Sequence, residues 1–203
     1  MRSAAWLASF SLFALTEVAL AQPPAGGAQL RLRGTIEAFD GQTLRMQTLA
    51  DGPVEFAVAA TTGINGVARR TLADIGDNAF IGTTAAKDAD GRWRATEVHI
   101  FPEEMRGAGE GHYAWDFPET TMTNAAVTGM AAVGDGRALT LTHGGGVVEV
   151  VVDSSTEIVA LTLGSPSLLV AGARIFVLGQ VDVVGTFNAI AIVAEQNGVE
   201  PPM

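Results

Sequence analysis

The feature that most constrains the fold of this chain is an internal repeat. Segments of the first half recur in the second half in the same order, for example VEFAVAATTGI before VEVVVDSSTEI. The matched pairs are Gly34 and Gly129 (129 − 34 = 95), Val54 and Val148 (148 − 54 = 94), Ile64 and Ile158 (158 − 64 = 94), Phe80 and Phe176 (176 − 80 = 96), and Val98 and Ile192 (192 − 98 = 94). Because the shift is nearly constant, the sequence predicts a duplicated module.

Each repeat alternates apolar and polar residues with a period of two. Leu44 and Met46 alternate with polar neighbours in the first repeat, as Leu139 and Leu141 do in the second. This period is typical of a half-buried β-strand. The Asp-Gly pairs that suit tight hairpin turns separate such runs. They are Asp40-Gly41, Asp90-Gly91 and Asp135-Gly136.

The predicted fold class is all-β, with two tandem small OB-like Greek-key β-barrels joined by an irregular linker. About five short strands per repeat and no helical period support it. The predicted boundaries are residues 30–102 for the first barrel, 103–124 for a structured joint, 125–198 for the second barrel and 199–203 for a tail.

The order of glycines, Asp-Gly turns and alternating hydrophobic runs resembles the bacterial exported domain-of-unknown-function 5666 family. The segment HIFPEEMRGAGEGHYAWDFPETTMTNA also resembles the linker of exported proteobacterial proteins with the same two-copy layout. The resemblance implies OB-like barrels and export, and it brings no catalytic residues.

The first residues predict secretion. Residues 1–21 combine Arg2, an apolar run and the small-residue pattern Ala19-Leu20-Ala21, as a signal peptide does. Residues 22–29 are a Pro/Gly/Ala-rich flexible arm. The chain has no cysteine, so an exported protein must rely on its apolar core without disulfides. The expected location is the periplasm or the exterior.

The net charge of the chain indicates which classes of partner it can bind. The formal net charge is −10, with 12 basic residues against 22 acidic ones. Nucleic acid is not an expected partner, since phosphates are held by Lys and Arg. No later apolar run has the length of a membrane helix, so the mature chain is not expected to insert. The expected partner is a protein or a small-molecule ligand.

The joint contains the predicted ligand-binding residues. Tyr113 and Trp115 lie two residues apart, on one side of an extended segment, and Phe117 follows at the same spacing. They form either a platform for a ligand or a clamp between the barrels, and the clamp is favoured because a large ring orders a Gly-rich joint by burying its face. Glu103 and Arg106 are the charged residues of the same site.

A copper site is the alternative hypothesis. Imidazole and thioether are ligands that copper favours outside the cytoplasm. The ligands would be His99, Met105 and His112, with Met122. In this alternating strand Val98 and Ile100 are expected to face inward, and Glu97, His99 and Phe101 outward. The spacing fixes no geometry, and the methionines and aromatic residues equally fit packing against the barrels.

No catalytic constellation is evident. The adjacent Glu103 and Glu104 point apart on an extended chain, and the serines lie in turns without a nucleophile-elbow motif. His143 to Gly146, the sequence HGGG, falls at a hairpin connection. The sequence therefore predicts a non-enzymatic binding protein without a cofactor. A copper-handling protein and, more weakly, a hydrolase remain the alternatives.

Overall fold

The computed structural model describes residues 29–202, which form thirteen β-strands and three short 3-10 turns. The strands are β1 (Gln29–Phe39), β2 (Thr43–Thr48), β3 (Pro53–Ala57), β4 (Gly63–Arg69), β5 (Phe80–Lys87), β6 (Trp93–Ile100), β7 (Gly111–Ala114), β8 (Thr120–Val133), β9 (Gly136–His143), β10 (Gly146–Val152), β11 (Glu157–Leu163), β12 (Arg174–Val181) and β13 (Phe187–Ala194). The all-β prediction is confirmed. The predicted signal peptide and most of the predicted arm, residues 1–28, lie outside the described residues.

The first barrel is a closed ring of five strands in the order β8-β9-β10-β6-β5. Strands β8, β9 and β10 form an antiparallel meander, and the β5–β6 hairpin pairs with β8 through β5. A short parallel ladder between β10 and β6 closes the ring. A five-stranded Greek-key ring is the arrangement of OB-type barrels.

The second barrel repeats this arrangement with β1, β2 and β3 as the meander and β12–β13 as the hairpin. Strand β1 pairs antiparallel with β12. Here β3 lies beside β13 without a ladder. The rings of Phe56 and Phe187 meet edge to face across this gap, with centroids 5.2 Å apart. The second barrel is therefore closed by side chains.

Each barrel contains strands from both repeats, so the predicted boundaries 30–102 and 125–198 do not delimit the barrels. The meander of one repeat pairs with the final hairpin of the other: β8 with β5, and β1 with β12. The two repeats have the same alternation of apolar and polar residues, so the sequence pattern is compatible with either pairing. Sequence pattern alone cannot distinguish the exchanged arrangement from two self-contained barrels.

The fourth strands of the two repeats, β4 and β11, join the barrels. They pair antiparallel with each other, and each also pairs in parallel with the last strand of the other repeat's hairpin: β4 with β13 and β11 with β6. Val67 lies opposite Leu161, and these two residues are separated by the repeat shift (161 − 67 = 94). The centre of the β4–β11 ladder therefore relates the halves by an approximate two-fold axis.

Three apolar clusters follow from this topology. One fills the first barrel, around Val98, Leu139 and Leu141, and a second fills the other barrel, around Leu44 and Met46. These five side chains are fully buried, as predicted. The third cluster lies between the barrels and is called here the inter-barrel cluster. It comprises Val67, Val159, Leu161, Phe176 and Val193, with Phe101, Met105, Trp115, Leu178 and Val199 packed against them.

Among residues 29–202, no helix is both long enough and apolar enough to cross a lipid bilayer.

Because the hairpin of each half pairs with the meander of the other half, we expect that neither half folds as a monomer. Residues 29–102 expressed alone contain the β5–β6 hairpin without the β8–β10 meander that it pairs with. We expect this fragment and its complement, residues 103–202, to be aggregated or homodimeric when separate. They should form a one-to-one complex when co-expressed, because each then supplies the missing strands. Size-exclusion chromatography with light scattering measures this, and a monomeric fragment with a cooperative thermal transition would contradict it.

Candidate functional site

The joint, predicted as residues 103–124, is an ordered part of the barrel wall. It begins with a single 3-10 turn, Glu103–Met105, and continues into β7. Strand β7 pairs with the first half of β8, whose second half pairs with β9. The joint thus extends the wall of the first barrel toward the second.

Glu103 and Arg106 fasten the joint to the barrel. The Arg106 guanidinium donates to both carboxylate oxygens of Glu103, at 2.6 and 2.8 Å, and to the Asn78 carbonyl at 2.9 Å. The hydrogen bonds and charge of Arg106 lower the pKa of Glu103. Because these groups are already paired with each other, the structure places them in a structural contact away from the cavity described below.

Trp115 packs against the inter-barrel cluster. The guanidinium of Arg31, from β1, lies 4.0 Å from the centre of its ring. The neighbouring Asp116 binds Arg31 at 3.1 Å and Arg33 at 2.6 Å. The joint therefore contacts β1 of the second barrel through Trp115 and Asp116. Tyr113 lies 6.1 Å from Trp115 between ring centres, and burial raises the pKa of its hydroxyl.

A cavity of about 450 Å³ lies between the two barrels. The β5–β6 hairpin contributes Thr84, Thr96 and Glu97, the second barrel contributes residues of β1 and β12, and the joint contributes Trp115 and Phe117. Residues 201–202, in the predicted tail, cover one side. Phe117 is 68% exposed and lies at the rim. Of the predicted ligand residues, Trp115 and Phe117 line this cavity.

Glu97 is the one buried carboxylate of this cavity. Its side chain is 6% exposed. One oxygen, Oε1, accepts a hydrogen bond of 2.7 Å from the Thr84 hydroxyl, and the other, Oε2, has no protein partner. An unpaired carboxylate oxygen removed from water is costly. Oε2 has almost no accessible surface, so the cavity wall contains here a buried acidic group with an incomplete set of donors among residues 29–202.

His99 lies beside Glu97 on the same face of β6. Its Nδ1 is 3.7 Å from Glu97 Oε1 and has no hydrogen-bond partner, and its ring stacks edge-on against Phe101 at 4.9 Å. Its Nε2 occupies the space that a side chain at Gly82 would fill. These residues face out of the barrel, as the alternation predicted, and His99 is nevertheless buried. The second barrel covers this face.

The other repeat has apolar residues where Glu97 and His99 stand. With the shift of 94 found for Val98 and Ile192, their equivalents are Ala191 (191 − 97 = 94) and Val193 (193 − 99 = 94). Val193 belongs to the inter-barrel cluster. The fold itself therefore accepts small and apolar side chains at these positions. Glu97 was not among the site residues predicted from the sequence, although its departure from the repeat was a signal that could have identified it.

The four predicted copper ligands do not converge. His112 Nδ1 is 2.8 Å from the Thr123 hydroxyl, and Thr123 lies on the interior face of β8 with Ala125 and Val127. Met122 is buried on the opposite face. Like Met122, His99 faces away from the interior of the first barrel. Met105 packs against the inter-barrel cluster. In residues 29–202 no group of three or more His, Cys, Asp or Glu side chains is arranged to hold a metal ion.

Comparison with protein-family models, with curated proteins and with solved structures finds no match to this chain. The interpretation of the site therefore depends on its geometry.

Replacing the clamp residue should destabilise the whole protein. Trp115→Ala removes a large ring from the inter-barrel cluster and the surface on which Arg31 lies. We expect a loss of about 2–3 kcal/mol in the free energy of unfolding. Phe117→Ala is the matched control, since this exposed ring should change stability by less than about 0.5 kcal/mol. Urea denaturation followed by circular dichroism measures both, and equal effects would contradict the clamp.

His112 should make the protein less stable in mild acid. Burial, and then the charge of His143, lower the pKa of His112 from its usual 6.5. Above about pH 6.5 the imidazole is neutral in both states and its contribution to stability is complete. As the pH falls below that value the unfolded chain binds the proton first, so stability is lost.

The test is the change in unfolding free energy between about pH 7.5 and pH 5, on either side of the usual histidine pKa. His112→Gln should reduce this loss, and His143→Gln should reduce it less because it removes only the second cause. The turn carboxylates with lowered pKa values, such as Asp40 and Asp182, lose their contributions below 3.8, outside this window. An unchanged pH dependence in His112→Gln would refute the assignment.

Proposed function

We propose that this protein is an exported, non-enzymatic binding protein that holds a small ligand in the cavity between its two barrels. The observation that carries the proposal is the carboxylate of Glu97, which lines the cavity with one buried oxygen unpaired. A bound ligand with a positive charge or a hydrogen-bond donor beside this carboxylate would offset the cost of burying it.

A purely structural role explains the buried, incompletely paired carboxylate of Glu97 less well than a ligand-binding role does. A buried carboxylate stabilises a fold when cations or several donors surround it. Here the one protein hydrogen bond to the carboxylate comes from Thr84, and the nearest basic group is the imidazole of His99. The second repeat builds the same strand with Ala191. Binding sites commonly retain groups that lower stability in the empty protein.

The size and lining of the cavity favour a small molecule. Ligand pockets of proteins have volumes of roughly 300–1,000 Å³, mostly apolar walls and a few placed polar groups. This cavity, at about 450 Å³, has the rings of Trp115 and Phe117 on one side and Pro201 and Pro202 on another. The polar groups of the lining are Thr84, Thr96, Thr120, Glu97, Arg33 and Arg174.

Export and duplication are part of the proposal. The signal-peptide pattern of residues 1–21 supports a location outside the cytoplasm. The equal pairing patterns of β1–β6 and β8–β13, together with the repeat shift, support a duplicated ancestor. The resemblance to the domain-of-unknown-function 5666 family is consistent with both.

The two alternatives have less support. Copper handling would require His99, Met105, His112 and Met122 to meet, and His112 lies on the other face of the barrel wall. A hydrolase would require a nucleophile beside a base. The Ser154 hydroxyl instead donates to Asp135 at 2.6 Å, and Ser165 pairs with Ser167. His143 to Gly146 forms the turn between β9 and β10.

The proposal is tested by screening small molecules for thermal stabilisation of the purified mature protein and of Glu97→Gln. Glutamine keeps the shape and the hydrogen bond from Thr84 without the buried charge. We expect Glu97→Gln to unfold with a free energy about 1 kcal/mol higher when empty. Ligands that stabilise the native protein should stabilise this variant less.

Glu104→Gln is the matched control, because Glu104 is an exposed carboxylate of the joint that does not line the cavity. It should respond to ligands as the native protein does. If every stabilising compound acts equally on all three proteins, the cavity is not the binding site.

A further inference from the structure

We propose that the ligand is a hydrophobic organic amine, bound with its ammonium group at Glu97 and its apolar body against Trp115 and Phe117. This inference rests on the proposed function and names the chemical class that the cavity selects.

The Glu97 carboxylate lines the cavity without a Lys or Arg partner in the described part of the chain. No Lys or Arg nitrogen of residues 29–202 lies within 4.0 Å of the Glu97 carboxylate, and its one charged-group neighbour is His99, at 3.7 Å. Oε2 is buried and unpaired. A protonated amine in the cavity supplies the positive charge that no Lys or Arg of residues 29–202 places beside this carboxylate, and charge-assisted contacts are stronger than neutral ones.

The arginines of the cavity are already directed to other carboxylates. Arg33 binds Asp116 at 2.6 Å. Arg174, whose side chain is 42% exposed, lies 3.9 Å from Glu200. These ion pairs keep the two guanidinium groups away from the role of partner to Glu97. An anionic ligand would have to compete with Asp116 or Glu200, and would lie near Glu97 without neutralising it.

The walls require an apolar body on the ligand. Trp115, Phe117, Ile175 and the two prolines at residues 201–202 contribute the apolar lining. Arg31 covers one face of the Trp115 ring at 4.0 Å, so a ligand meets the ring from its remaining surface. Aromatic side chains pack well against rings and alkyl chains. An amine carrying a ring or a short alkyl chain matches both the lining and the carboxylate.

Three probes of the same shape test the charge. Phenethylamine is cationic at neutral pH, phenethyl alcohol is a neutral donor, and hydrocinnamate is anionic. Their affinities for the full mature protein are measured by isothermal titration calorimetry and by the change in tryptophan fluorescence. We expect phenethylamine to bind at least tenfold more tightly than the alcohol, and hydrocinnamate to bind more weakly than the alcohol.

Substitution of the carboxylate is the decisive comparison. Glu97→Gln should weaken phenethylamine binding at least tenfold and leave the affinity for the alcohol within about threefold, because only the charge is removed. Glu97→Ala is a second variant, and Ala191 at the equivalent position indicates that the fold accepts it. Circular dichroism verifies that both are folded, and Glu104→Gln should match the native protein.

The outcomes separate the inference from the proposed function. Equal amine binding by native protein and Glu97→Gln, or tightest binding of hydrocinnamate, overturns the amine assignment. If the alcohol or hydrocinnamate binds and Trp115→Phe weakens that binding, the cavity is a binding site for another class. If none of the three probes binds the native protein, both the amine assignment and this cavity as its binding site fail.

Discussion

The antiparallel pairing of β4 with β11 is the contact on which the rest of the structure depends. Alone, each of these strands would leave one edge of its barrel open, and open edges invite pairing with other chains. Paired about Val67 and Leu161, they cover each other's edges and bring the barrels together at a fixed angle. Strand β4 lies between β11 and β13, so the chain passes from the second barrel to the first through this ladder.

The contact between the barrels gives the outer face of β6 an unusual environment. In a single OB-type barrel this face would meet water, where a glutamate and a histidine are unremarkable. Here the second barrel, the joint and residues 199–202 cover it, so Glu97 and His99 are buried beside an apolar cluster. The chemistry of the cavity therefore comes from polar residues that the assembly of the halves has taken out of solvent.

The sequence predicted the local structure well and the long-range pairing poorly. Alternation placed Leu44, Met46, Leu139 and Leu141 inside, because period-two patterning reports directly on which face of a strand is buried. The alternation did not indicate which strands pair with each other, since β5 and β12 have similar patterns of apolar residues. Glu97 was not predicted as a site residue for the same reason. Its outward direction followed from the alternation, but its burial depends on how the second barrel packs against β6, which the sequence pattern does not show. Trp115 was found because a large ring in a Gly-rich segment has few reasons to be there other than packing.

The exchange of hairpins also constrains how the gene for such a protein can change. In an ordinary tandem array a copy can be deleted, and the remaining domain still folds. Here each barrel takes three strands from one half and two from the other. Deleting either half removes strands from both barrels, so neither half can be lost without disrupting the whole fold. Ala191 and Val193 serve as scaffold in the second half, while Glu97 and His99 occupy the equivalent positions of the first.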